Sequence, residues 1–269
     1  MTEDAIRKTN ALHLRRDGAE RTTRALAREV PVAIVCNGTT QAVMMATPED
    51  LTDFAHGFAL TEGFIGGLDD VEECEIVAHD SGIEARFWLD EGRADILAAR
   101  RRRMAGPVGC GLCGIDSLSE ATRPLPRIVS DLRLGHGEAE GATEALRAMQ
   151  PLQDVTRASH AAGFLVPGRG LVLAREDVGR HNALDKLVGA LLRSGVDPAS
   201  GAAVMTSRLS LELVQKAAMS GIPILIAVSA PTAQAVDAAE AAGITLVAGA
   251  RGTGFDLYAH PERITREPD

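Results

Sequence analysis

The chain has 269 residues, 45% of them hydrophobic and 24% charged, with a formal net charge of -9. That apolar content builds one large domain or two modest ones without disulfide staples, and the acidic balance excludes broad electrostatic binding to nucleic acid. No stretch approaches the roughly 20 apolar residues of a membrane-spanning helix, and no membrane partner is expected.

Residues 1–27 are polar and read as an irregular N-terminal segment. They lack the basic and apolar regions of a secretory signal, so the expected location is the cytoplasm. Apolar runs at 30–35 and 42–46 flank Asn37-Gly38 and predict a hairpin with a tight turn. Thr47-Pro48-Glu49-Asp50 supplies a cap residue, a first-turn proline and two acids, which predicts a helix to about Phe64. Extended runs between Cys74 and Leu89 flank Asp80-Ser81-Gly82 and predict a second hairpin, so 28–104 reads as a smaller α+β part. Arg100 to Arg103 form an unbroken basic run, either a solvated helix face or an attractor for anions. A Gly-rich loop, 105–121, holds a cysteine pair.

Residues 122–269 read as an α/β domain. A helix is predicted over 139–149, and strand-like runs at 171–174, 202–206, 222–228 and 244–247 alternate with helical segments. The helices over 209–219 and 233–242 meet Gly221 and Gly243, where left-handed caps are favoured. The sheet is expected to be at least partly parallel.

Cysteines stand at 36, 74, 110 and 113. In a reducing compartment the close pair Cys110-Gly111-Leu112-Cys113 points to sulfur, redox or metal chemistry rather than a staple. A thiolate can carry sulfur as a persulfide, a second thiol can assist its release, and the glycines at 109, 111 and 114 let a partner approach closely. Zinc is the rival, with Cys36, Cys74 or a histidine completing the site. His136-Gly137-Glu138 also matches the H-x-E element of zinc deaminases, but it follows the C-x-x-C instead of preceding it.

Three further segments carry candidate chemistry. Glu176 through Lys186 crowd seven ionisable or amide side chains into a strand-to-helix junction, suiting a hydrogen-bonded network, or acid–base work by Asp177 or His181. Ser229-Ala230-Pro231-Thr232 opens a helix and suits a cap or a phosphate. Gly249, Ala250, Arg251, Gly252, Thr253 and Gly254 follow the last core strand and combine flexible backbone with a guanidinium suited to phosphate. His160, beside two alanines, reads as structural.

Thr61-Glu62-Gly63-Phe64-Ile65, Gly109 through Gly114, Glu176 through Lys186, Ser207-Arg208, Glu212 through Lys216, and Ser229 through Thr232 together resemble the formate dehydrogenase accessory sulfurtransferases, the FdhD/NarQ family. The resemblance covers most of the chain. It implies a larger, layered α/β domain like that of cytidine deaminases but without zinc chemistry or an intrinsic metal, beside a smaller α+β N-terminal part. It also implies a sulfurtransferase that accepts sulfur from a cysteine desulfurase and passes it to the molybdenum cofactor before insertion into the formate dehydrogenase catalytic subunit. Cys110 would carry the persulfide and Cys113 would be its partner thiol. Residues 249–254 would contact the molybdenum bis(molybdopterin guanine dinucleotide), bound as substrate. Homodimerisation is compatible with the resemblance. Two departures stand out: Thr156 through His160, where many relatives have paired glycines, and Gly249 and Gly254, where relatives often carry an aromatic and a basic residue. The alternatives are a cofactor chaperone that moves no sulfur and a zinc-dependent deaminase-like enzyme.

Overall fold

Two sheets divide the apolar residues between them in the computed structural model, which describes residues 3–104 and 124–266. In the N-terminal half, β3 (Val30–Cys36) and β4 (Thr39–Ala46) form the first expected hairpin, and β5 (Val71–His79) and β6 (Gly82–Leu89) form the second. Asn37 and Gly38 turn the first at φ of 47° and 74°, the pair of positive angles that a type I′ turn demands. β3 and β6 pair in parallel, giving the order β4-β3-β6-β5. The inner face presents Val32, Ile34, Ala85 and Phe87 to α1 (Leu51–Thr61), which buries Phe54, Ala55 and Phe58 against them. After β6, α2 (Glu91–Met104) adds Leu97 to this core.

The larger sheet comprises β8 (His160–Val166), β9 (Gly170–Asp177), β10 (Ala202–Met205), β11 (Ile224–Ala227), β12 (Thr245–Ala248) and β13 (Asp256–Ala259). Its order is β13-β12-β11-β10-β8-β9. The central strands β10, β11 and β12 are parallel, as expected, and are connected through α6 (Leu211–Ser220) and α7 (Ala233–Ala242). Gly221 and Gly243 end those helices in the left-handed conformation. Every residue of β10 is buried because its side chains alternate between two helical layers. Ala203 and Met205 join the core of α5 (Arg180–Ser194), α6 and α7, whereas Ala202 and Val204 join that of α3 (His136–Arg147). A short α4 (Pro151–Thr156) and the small parallel pair of β7 (Leu134–Gly135) and β14 (Ile264–Thr265) complete a mixed α/β fold with seven helices among the described residues.

Two expectations are corrected, and one strand was not anticipated. The N-terminal segment is not irregular: β1 (Ile6–Arg15) and β2 (Gly18–Ala27) form an antiparallel ribbon in register from Ile6–Ala27 to Arg15–Gly18. Both of its faces are largely exposed, so no apolar alternation marks it in the sequence. β8 escaped detection because His-Ala-Ala-Gly-Phe-Leu-Val is buried nearly throughout and has neither alternation nor β-branched enrichment. Thr47 does not cap α1, whose N-cap is Asp50 at φ 53°. The threonine is instead bonded to a segment 130 residues away.

α1 and α5 cross in backbone contact. A Cβ added to Gly57 would lie 1.7 Å from Asp185 O, and one added to Gly189 would lie 1.8 Å from Asp53 O. No rotamer relieves a clash with main chain. Gly57→Ala should therefore lower unfolding free energy by about 3 kcal/mol, measured by urea denaturation. Gly141→Ala, in open space within α3, should raise it by about 0.5–1 kcal/mol.

Candidate functional site

Sheet topology gathers the chemistry-bearing segments at one rim. β9 and β10 are each antiparallel to β8, so both run with β11 and β12 and end on the same side. Just beyond those ends lie Asp177 through His181, Thr206 through Ser210, Ser229 through Thr232, and residues 249–254. His160 opens β8 at this rim, opposite Asp177 in the register. Ligands of open α/β sheets bind outside the carboxyl ends of the strands. A cavity of about 260 Å³ opens here, lined by Arg147, Gln150, Gln153, His160, Thr206 and Val228 among others.

The junction from Glu176 to Lys186 is a hydrogen-bonded network centred on Asp177, within which the buried Arg180 Nε and Asp185 Oδ2 have no hydrogen-bond partner among the described residues. Lys186 Nζ, fully buried, lies 2.8 Å from Asp177 Oδ2 and donates to Thr47 O (3.0 Å) and Glu176 O (3.2 Å). Asp177 also accepts from Thr47 N, Gly179 N and the Asn182 amide, at 2.9, 2.8 and 3.0 Å. With both oxygens committed, Asp177 holds the junction between the two sheets. Glu176 accepts from Leu152 N and Gln153 N, fixing the start of α4 beside the cavity.

A second buried charge group centres on Asp185, the residue before Lys186 on α5. Lys216 Nζ reaches Asp185 Oδ1 (2.9 Å), Glu62 Oε1 (2.8 Å) and Thr61 Oγ1 (3.0 Å), and stands 5.0 Å above the Phe58 ring. Burial pushes the Asp185 carboxyl up to about 6, with Lys216 opposing. Burial also opposes the Lys216 charge, but Asp185 and Glu62 hold its ammonium above the ordinary value.

His181 faces this group near the N-terminus of α5. Its Nε2 lies 3.5 Å from Ser210 Oγ and 3.9 Å from Glu212 Oε2. Burial, then the charges of Arg180 and Lys216, push its pKa down to about 4, so the ring is neutral at neutral pH. Burial and Arg180 likewise lower His160. Of the two roles read for the junction, Asp177 takes the network role, while His181 is a neutral imidazole whose burial and positive neighbours make protonation unfavourable.

The remaining candidates divide between anchors and exposed groups. Ala250 is buried, donates from N–H to Ala227 O and accepts at its carbonyl from Thr143 Oγ1. It fixes the loop, while Gly249, Arg251, Gly252 and Thr253 are exposed and Gly254 is half-buried. Gly249 takes φ of 68°, a left-handed conformation that favours glycine. Thr232 caps α7 by accepting from Ala235 N (3.2 Å). Glu138, the glutamate of the H-x-E match, accepts from Gly135 N and Gly168 N, so it caps α3 and ties it to the β8–β9 turn. Sequence reasoning missed Arg147, Gln150, Gln153 and Thr206 as cavity residues. Polar side chains at helix and strand ends resemble ordinary surface, and nothing in their spacing distinguishes them.

Cys110 and Cys113, with the rest of 105–121, lie outside the described residues, as do the side chains of Arg100 to Arg103. Cys36 and Cys74 pair with Phe87 from either side in the sheet register, which puts them two strands and about 10 Å apart. That exceeds the reach of a disulfide. Cys36 is buried in the core of α1, and burial pushes the Cys74 thiol up to about 11, leaving it protonated.

The chain's fold matches the crystal structure of a formate dehydrogenase accessory protein from Desulfotalea psychrophila, with a TM-score of 0.78 and 26% identity, covering 97% of this chain and 100% of that one. Among curated proteins, it is 50% identical over 266 residues to the sulfur carrier protein FdhD of Brucella abortus, covering 98% of this chain and 99% of that one. It is also 50% identical over 242 residues to the sulfur carrier protein FdhD of Agrobacterium fabrum, covering 90% and 89%. The family model for FdhD/NarQ matches residues 27–265, and the chain belongs to the FdhD/NarQ family.

A histidine held neutral contributes stability that is complete above its unfolded value of 6.5 and is lost as pH falls toward 4. By NMR the His181 ring should show no titration above pH 5. His181→Gln should lose less unfolding free energy than the wild type between pH 6.5 and 4.

Proposed function

We propose that this chain is a sulfur carrier that accepts sulfur from a cysteine desulfurase as a persulfide on Cys110 and delivers it to the molybdenum cofactor destined for a formate dehydrogenase. The observation that carries the reading is near full-length similarity to proteins named sulfur carriers. Thiol chemistry supports the choice of cysteine. The persulfide-forming species is the thiolate, and Cys74 is held protonated while Cys36 is buried. Cys110 and Cys113, flanked by glycines, remain as carrier and partner.

In loading, the Cys110 thiolate attacks the outer sulfur of the donor persulfide. A new S–S bond forms as the donor's S–S bond breaks, and the donor's cysteine thiolate leaves. In delivery, the Cys113 thiolate attacks the inner sulfur of Cys110 and releases the outer sulfur as hydrosulfide. The resulting Cys110–Cys113 disulfide is then reduced by a cellular dithiol.

The rim of the large sheet supports a role in holding the cofactor as substrate. Arg251 is exposed on the loop of residues 249–254, with a guanidinium suited to phosphate. The adjacent parallel strands β10, β11 and β12, flanked by antiparallel β8 and β13 with β9 again running parallel at the edge, support the cytidine-deaminase-like description of the larger domain. The formate dehydrogenase catalytic subunit is the proposed recipient of the loaded cofactor, and the cytoplasm the proposed site of transfer.

Intact-mass spectrometry after incubation with a cysteine desulfurase and cysteine tests the assignment. One added sulfur should map to Cys110 and be lost in Cys110→Ala. Sulfur on Cys36 or Cys74, with Cys110 unmodified, would overturn it.

A further inference from the structure

Arg180 carries a positive charge where the fold least favours one. It is the first residue of α5, where the helix dipole already presents positive potential, and the first turn has neither a side-chain cap nor an acid. Its buried Nε has no hydrogen-bond partner among the described residues, and an unmet buried donor is most unfavourable on a charged group. Glu212 lies within electrostatic reach of Arg180 but is engaged by Ser210 and by its own backbone N–H. An anion arriving from outside accounts for such a residue: a guanidinium and an uncapped helix N-terminus together suit a phosphate or another tetrahedral oxyanion.

The same guanidinium acts on two histidines. Burial first, and then the Arg180 charge, lower the proton affinity of His181, its neighbour on α5, and of His160, which opens β8 and lines the cavity of about 260 Å³. The other charges facing His181 are Lys216 and Glu212 on α6 and Glu62 at the end of α1; Lys216 opposes protonation and the two acids favour it. Asp177, ending β9, favours protonation of His160 but is already fixed by Lys186, Thr47, Gly179 and Asn182. Arg147, which also lines the cavity, is paired with Asp154. Arg180 is thus the cation whose neutralisation alters both rings. An anion placed on it cancels its repulsion and adds an attraction of its own, so each histidine gains protons as the anion binds.

We propose that Arg180 is a substrate-binding residue that holds a phosphate group of the cofactor at the head of α5, and that His160 and His181 take up protons as the anion binds. The inference rests on the reading of the rim as the cofactor's site, and adds to it a residue outside the 249–254 loop and a dependence on pH.

Isothermal titration calorimetry of the full chain with inorganic sulfate tests this, since sulfate mimics a phosphate dianion and does not itself titrate near neutral pH. Affinity should rise as pH falls from 7 to 5, with net proton uptake measured in buffers of different ionisation enthalpy. R180Q, its folding verified by circular dichroism, should bind about tenfold more weakly or worse, and R180K, which keeps the charge, should recover part of the loss. By NMR, R180Q should raise the titration midpoints of His160 and His181 without sulfate, whereas saturating sulfate should raise them in the wild type but not in R180Q. A role in folding alone would move neither. Failure of sulfate to bind the wild type would overturn the proposal. So would sulfate affinity unchanged in R180Q, or binding that leaves both histidine midpoints unmoved. Inorganic pyrophosphate separates these failures from that of the rim reading: binding of pyrophosphate that is lost in R251Q would leave the rim as the cofactor's site, and no binding would remove that reading too.

Discussion

The crossing of α1 and α5 at Gly57 and Gly189 is the contact on which the rest of the molecule depends. Two helices meet there main chain to main chain, closer than any pair bearing side chains at those positions could approach. One belongs to the core of the four-stranded sheet and the other to that of the six-stranded sheet. Their contact therefore sets how the ends of both helices present functional groups. α1 delivers Thr61 and Glu62 to Lys216, and α5 delivers Arg180, His181, Asp185 and Lys186 to the rim.

Around that crossing the protein places charge where apolar contact would be expected. The Asp177–Lys186 pair is removed from solvent, and such pairs contribute little net stability, but losing one partner is severe. What the arrangement provides is a fixed geometry. Asp177, Thr47 and Lys186 bond across 130 and 139 residues of sequence and admit one alignment of β4 with β9. Asp53 repeats the device nearby by accepting from Arg175 (2.7 Å) and Arg193 (2.5 Å), joining α1 to β9 and α5.

Local chemistry was the legible part of the sequence. Asn37-Gly38 and Asp80-Ser81-Gly82 marked their hairpins, and Gly221 and Gly243 marked helix ends, because each requirement lies within a few residues of its cause. The parallel strands were legible as apolar runs between helical segments. The ribbon was not, since exposure of both faces removes the alternation that signals a strand. Nor was the close helix crossing: a glycine within a helical pattern gives no indication of whether open space or another backbone lies opposite. At the site, the crowded charges at 176–186 were recognisable as a unit, but their partners Thr47, Thr61 and Glu62 come from a distant segment. The cavity residues from α3 and α4 carried no signal because their placement is tertiary.

On the proposed function, the two-sheet scaffold would present a rim for a phosphate-bearing cofactor, and the thiol pair Cys110 and Cys113 would supply the sulfur chemistry. Cys36 and Cys74 serve the core. The central claim is that sulfur, and not the cofactor alone, passes through this chain. The most direct measurement is formate dehydrogenase activity in cells whose only copy of this protein is the Cys110→Ala, Cys113→Ala double variant, with its folded level verified. The account expects activity at background. Activity near that of the wild type would contradict it and leave a cofactor chaperone that moves no sulfur.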